Sequence, residues 1–173
     1  IHKHRAVDGD VDLVEKWMLH RNDTSALQAL TRKGYIVDTM EVSAPWAKLP
    51  TLVDKVRAAL LNISGTRAAT CHLSHSYIDG ACLYFTFAAE AEVDQREARY
   101  IALWDAAQYA ALASGSNISH HHGIGINRGR FMAESLGTAF DVLVKLKSTL
   151  DPSDMFNPGK LGLPTRRGNV TWP

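Results

Sequence analysis

Cysteine is nearly missing from this chain: Cys71 and Cys82 are the only two in 173 residues. Two are too few for a disulfide framework and fit a reducing cytoplasm. No charge surplus is present either, since 19 Lys+Arg against 18 Asp+Glu leave a net +1. That gives no footing for nucleic-acid binding. No apolar run approaches the roughly 20 residues needed to cross a bilayer. There is no internal repeat and no low-complexity segment. Nor is there a glycine-rich loop of the kind that cradles a dinucleotide phosphate. The start, Ile1-His2-Lys3-His4-Arg5, has no Met and no signal-peptide pattern, so the chain is expected to be a piece of something longer.

What is present is ordinary globular material. Hydrophobic residues make up 46% and charged residues 21%, enough for one domain with a real core. Residues 10–19 carry Val11, Val14, Trp17 and Met18 at helical spacing, and a short helix is expected over 26–33, stopped by Gly34. From Tyr35 to Val42 the period changes to an imperfect alternation, read as a strand. Trp46, Leu49, Val53, Val56 and Leu60 mark an amphipathic helix. Residues 67–76 and 80–89 flank Tyr77-Ile78-Asp79-Gly80, a hairpin signal. In the second of these strands Leu83, Phe85 and Phe87 share one face and Cys82, Tyr84 and Thr86 the other. A long Ala-rich helix follows over 94–113, and a single last helix over 130–149 ends at Asp151-Pro152. The order predicts an α+β architecture, an antiparallel sheet with helices packed on one face. Residues 1–33 are read as an N-terminal helical segment, 34–150 as the α+β domain, and 151–173 as a Gly/Pro-rich tail.

Ser119-His120-His121-His122-Gly123-Ile124-Gly125 is the strongest local feature. Imidazole transfers protons near neutral pH, and the flanking glycines allow close approach to a ligand. Were the segment extended, His120 and His122 would face one way and His121 the other. The plainer reading is a solvated His-rich loop. A metal site is the weaker one: spacings are loose, and His72 and His75, three apart on a strand, are expected on opposite faces. No metal is therefore assigned. Tyr84 can donate a proton or bind an anion from the non-core face, or simply pack across strands. Arg128 and Arg130 precede a helix start and can meet an anion, or be solvated.

Ser43-Ala44-Pro45-Trp46, the run Tyr77 to Phe85 with its Gly-Ala-Cys-Leu-Tyr-Phe, the run Ser119 to Gly125, Leu150-Asp151-Pro152, and Phe156-Asn157-Pro158-Gly159-Lys160-Leu161 occur in that order. Together they closely resemble the C-terminal part of the alkyldihydroxyacetonephosphate synthases and their bacterial relatives. These are FAD-linked flavoproteins of the vanillyl-alcohol-oxidase type. The resemblance implies a cap domain, ferredoxin-like, whose FAD is bound mainly by a domain outside this sequence. It implies Tyr84, His120, His121 and His122 as catalytic residues and Arg128 as substrate-binding. It implies Asn157 and Lys160 as cofactor-binding, where the tail returns towards the flavin domain. The implied reaction exchanges the acyl group of acyl-dihydroxyacetonephosphate for a fatty alcohol, an ether-lipid step without net oxidation. Its protein work is proton removal beside a carbonyl and charge stabilisation. Implied partners are a lipid or hydroxy-compound substrate and the chain's own FAD-binding domain, with no nucleic acid. The parent is expected in the cytoplasm, and the resemblance leaves room for membrane-surface association and a homodimer. One position departs from the family. Where an arginine helps bind the anionic substrate, the count back from Ser43 reaches Leu27, with Arg21 and Arg32 nearby. Two alternatives therefore stand: an FAD-linked oxidase or dehydrogenase of a hydroxy acid or alcohol, and a non-catalytic module that kept the cap fold.

Overall fold

A computed structural model describes residues 11–168. The first ten residues of the N-terminal segment and the last five of the tail lie outside the described residues. Two helices lead, α1 (Val11–His20) and α2 (Ser25–Arg32), followed by strand β1 (Tyr35–Pro45). Helix α3 (Leu49–Leu61), strands β2 (Thr66–Ser76) and β3 (Gly80–Glu90), and helix α4 (Arg96–Ala113) come next. Two further helices, α5 (Met132–Leu136) and α6 (Ala139–Leu150), precede the tail. The strands form a three-stranded antiparallel sheet in the order β1-β3-β2. The central β-α-β-β-α run is a ferredoxin-like unit without its fourth strand among the described residues. None of the described helices is long and apolar enough to cross a membrane.

The sheet keeps its two faces distinct because side chains alternate along each strand. Met40 and Val42 of β1, Ala69 of β2, and Leu83, Phe85, Phe87 and Ala89 of β3 form one face. Leu49, Leu52, Val56 and Leu60 of α3 and Leu103, Trp104, Ala107 and Ala111 of α4 close over it. Burial of such side chains is worth about 1.5–3 kcal/mol each, which commits this face to the helices. The imperfect alternation of β1 has a physical reason. Asp38 belongs to the helix-facing set, and its Oδ2 accepts the Tyr100 hydroxyl at 2.7 Å and the Trp104 indole N–H at 3.0 Å. A carboxylate is tolerated beside the core because its lone pairs are used. As the alternation after Gly80 predicts, Tyr84 sits half-buried on the other face, away from Phe85 and Phe87.

The single helix expected over 130–149 is two. Gly137 has φ 53°, a left-handed conformation that ends α5 and restarts the chain as α6. The tail folds back on the end of α6. Asp154 accepts the Thr165 hydroxyl at 2.5 Å and the Arg166 amide at 2.9 Å. Further on, the turn Lys160–Gly162 lies against the turn Gly129–Phe131, where a Cβ on Gly162 would meet the Gly129 carbonyl at 2.2 Å.

Candidate active site

The face of the sheet away from α3 and α4 is covered by the loop after α4. That loop is anchored at both ends. Asn117 pairs with Ser43 at the end of β1: its Oδ1 accepts the Ser43 amide at 2.7 Å, and its own amide donates to the Ser43 carbonyl at 3.1 Å. Ile118 is buried in a second apolar cluster with Phe131 and Met132. The three histidines run between Ile118 at the start of the loop and Phe131 at its far end.

Glu41 organises them. It is fully buried and lies opposite Tyr84 in the β1–β3 register. Its Oε1 accepts the backbone N–H groups of His120, His121 and His122 at 3.0, 3.1 and 2.9 Å, and the Ser119 hydroxyl at 2.7 Å. Its Oε2 accepts Arg128 Nη2 at 2.5 Å and faces His122 Nδ1 at 2.9 Å. Burial pushes the carboxyl up. The His122 amide, the Ser119 hydroxyl and the Arg128 guanidinium outweigh it and hold Glu41 well below the ordinary carboxylate range. Glu41 is therefore an anion at every working pH, and it fixes the tautomer of His122. In the neutral ring the ionised carboxylate keeps the proton on Nδ1, which leaves Nε2 as the acceptor.

The extended geometry expected for the histidine run is corrected here. Three successive amides converge on one oxygen, so the backbone curls around the carboxylate and all three rings come over the same face. His121 and His122 lie 6.1 and 5.3 Å from the Tyr84 ring, centroid to centroid. His120 lies 5.6 Å from Tyr77, whose hydroxyl meets its Nε2 at 2.8 Å. The expectation that His72 and His75 face opposite sides is also corrected. A register shift between Leu73 and His75, a bulge, adds the residue that turns both to the open face. His72 stacks on Tyr84 at 5.1 Å, and His75 lies 5.2 and 5.1 Å from His120 and His121. Burial, with His122 as a like-charged neighbour, lowers the pKa of His121, which favours its neutral ring.

Tyr84 and the histidines are thus brought together, and the Tyr84 hydroxyl donates to Thr39 Oγ1 at 3.2 Å. Arg128 is placed inside rather than on the surface. Its Nη1 donates to Ser119 Oγ at 2.7 Å and to the Gly123 carbonyl at 2.9 Å, beside the Glu41 contacts, and the group lies over the Trp104 ring. Asn157 is exposed with φ 48°, and Lys160 is half-buried. Among the described residues no hydrogen bond or ring contact joins either one to the histidine cluster. Glu41 is the contributor that sequence reasoning missed, and Ser119 enters that reasoning only as the first residue of the histidine run. A lone glutamate between Met40 and Val42 was the available signal, but its partners lie near position 120.

Comparison with known proteins adds the family context. The family of FAD linked oxidases, C-terminal domain, matches residues 4–161. An alkyldihydroxyacetonephosphate synthase of Dictyostelium discoideum is 34% identical over 134 residues, 75% of this chain and 22% of that protein. A probable mitochondrial D-lactate dehydrogenase of Danio rerio is 26% identical over 146 residues, 84% of this chain and 28% of that protein. A solved structure of an alkyldihydroxyacetonephosphate synthase aligns with a TM-score of 0.55 at 25% identity, covering 81% of this chain and 23% of that one. The chain thus spans about a quarter of the length of these relatives.

Proposed function

The chain belongs to the family of FAD linked oxidase C-terminal domains, and from that premise we propose that it caps a flavin site where His122 and Tyr84 handle the proton of a carbonyl-bearing lipid substrate. The observation that carries this reading is the convergence of the His120, His121 and His122 amides on Glu41, which turns their rings over Tyr84. The open side of this loop fits a flavin in room and in chemistry. A Cβ built on Gly123 or Gly125 would meet nothing within 4 Å, and imidazole and phenol donors stand nearby. Asn157 and Lys160 are the residues assigned to hold the cofactor from the tail. FAD, when bound, supplies an electron-accepting ring beside the substrate.

The chain's own residues divide the remaining work. His122 Nε2, its lone pair exposed by the Nδ1–Glu41 contact, takes the proton next to the carbonyl. This is the geometry of a base oriented by a carboxylate. Tyr84, edge-on to His122, donates to the oxygen that gains charge. Arg128 and Ser119 act as positioning residues, because they hold Glu41 and the Gly123 carbonyl rather than the substrate.

The substrate class follows from similarity. Relatives named alkyldihydroxyacetonephosphate synthase support acyl-for-alkoxy exchange on a dihydroxyacetone phosphate ester. A second reading, oxidation of a hydroxy acid, draws on the D-lactate dehydrogenase relative and on the lack of an arginine within Ser25-Ala26-Leu27-Gln28-Ala29, near where the resemblance implies one. Anaerobic turnover of the FAD-loaded parent decides between them. Exchange is expected to yield the ether product from acyl-dihydroxyacetonephosphate and a fatty alcohol while the flavin ends oxidised. Bleaching of the flavin by D-lactate with no ether product would overturn the exchange reading.

A further inference from the structure

We propose that His75, Cys82, His120 and His121 form a binding site for a zinc-type divalent cation that pins the histidine loop to the β2–β3 hairpin. One ligand atom from each of the four lies within 4.8 Å of the others. The fold puts them there by three separate devices. His75 and Cys82 are direct cross-strand partners, so their side chains leave the sheet side by side. The bulge after Leu73 gives His75 the open face that Cys82 already has. The curl of the loop around Glu41 then lays His120 and His121 over that pair. Nothing in this arrangement depends on the flavin reading.

The ring nitrogens are already sorted as metal ligands require. His120 Nε2 is engaged by the Tyr77 hydroxyl at 2.8 Å, and His75 Nδ1 by the Ser74 hydroxyl at 3.0 Å. These are the outer partners that fix tautomer and ring orientation around a metal. They leave His120 Nδ1 and His75 Nε2 for the cluster. His120 Nδ1 and His121 Nδ1 stand 3.0 Å apart. Without a cation one ring must carry its proton into that gap, whereas a cation accepts both lone pairs. Tetrahedral zinc, with Zn–N near 2.0–2.1 Å and Zn–S near 2.3 Å, spaces its ligand atoms about 3.3–3.6 Å apart. Small rotations of the exposed His75 and His121 rings close the difference. Three imidazoles and one thiolate select zinc-like ions over magnesium or calcium. Glu41 is not a fifth ligand, because its oxygens serve the loop amides, Arg128 and His122.

Four protein ligands make a closed, structural set. His122 and Tyr84 remain outside it, free for the substrate. Binding replaces the Cys82 S–H bond by a sulfur–metal bond and releases one proton to solvent. Protons compete with the cation for the thiol and the ring nitrogens, so affinity is expected to rise with pH.

Cobalt(II) titration of the full 173-residue chain tests the proposal. The expected result is a thiolate-to-cobalt charge-transfer band in the near ultraviolet, complete at one equivalent and erased by zinc. Cys82→Ser should abolish the band. His75→Ala should weaken binding by roughly tenfold or more, given that loss of even an outer-shell partner costs 10–100-fold. His72→Ala, on the same face but outside the set, should leave the titration unchanged. Absence of the band at millimolar cobalt overturns the proposal, as does binding unaltered in His75→Ala. Should Cys82→Ser lose its folded circular dichroism, the wild-type band and His75→Ala decide the matter.

Discussion

Replacing Tyr84 by phenylalanine in the FAD-loaded parent is expected to lower turnover by on the order of 10² to 10⁴, the usual worth of a positioned acid or base. Stability should barely change. The ring keeps its stack on His72 and its edge contact with His122, with centroids at 5.1 and 5.3 Å. The lost hydroxyl gives up one half-buried bond to Thr39, worth about 0.5–1.5 kcal/mol. Turnover by rapid-quench assay and stability by denaturant unfolding separate the two effects. A variant as active as wild type removes Tyr84 from the chemistry. A variant that loses activity and several kcal/mol together makes it a packing residue.

Glu41→Ala should be among the most damaging single changes in the domain. It strands the buried Arg128 guanidinium and takes the shared acceptor from three loop amides. Breaking one side of a buried pair costs about 3–5 kcal/mol, and denaturant midpoints should report a loss of that size. Amide exchange at His120, His121 and His122 should accelerate in the same variant. The pH dependence has a definite sign. Glu41's folded pKa lies below its ordinary 4.5, so its contribution is fully present above 4.5 and is lost as pH falls towards the folded value. The gap between wild type and Glu41→Ala should therefore narrow below pH 4.5. A loss under about 1 kcal/mol at neutral pH, or a gap that widens in acid, would count against the carboxylate as the loop's anchor.

Local patterns carried the sheet. Leu83, Phe85 and Phe87 alternate with Cys82, Tyr84 and Thr86, and period alone assigns them to opposite faces. The Asp-Gly turn joined β2 to β3 for the same reason. The features that escaped are those whose cause is distant in sequence. The bulge beside His75 is set by pairing with β3, so nothing within residues 72–75 announces that both histidines share a face. The curl of the histidine run is set by Glu41, about eighty positions earlier. Gly137 is a local signal with a local effect, yet the apolar spacing on either side masks it until its φ is known. Asp38 shows the reverse: it looks like an interruption in β1 until Tyr100 and Trp104 supply its partners. The candidate site was legible as a set of residues, and its geometry was not, because one buried carboxylate builds that geometry.

In the proposed mechanism Tyr84 and the Glu41-oriented His122 act as one unit on the same proton. A double-mutant cycle in the FAD-loaded parent measures this directly, using Tyr84→Phe, His122→Asn and the pair. Groups that serve a single step are strongly non-additive. The double variant is expected to turn over about as slowly as the worse single variant. Losses in kcat/KM that multiply would contradict it, because Tyr84 and His122 would then be acting independently.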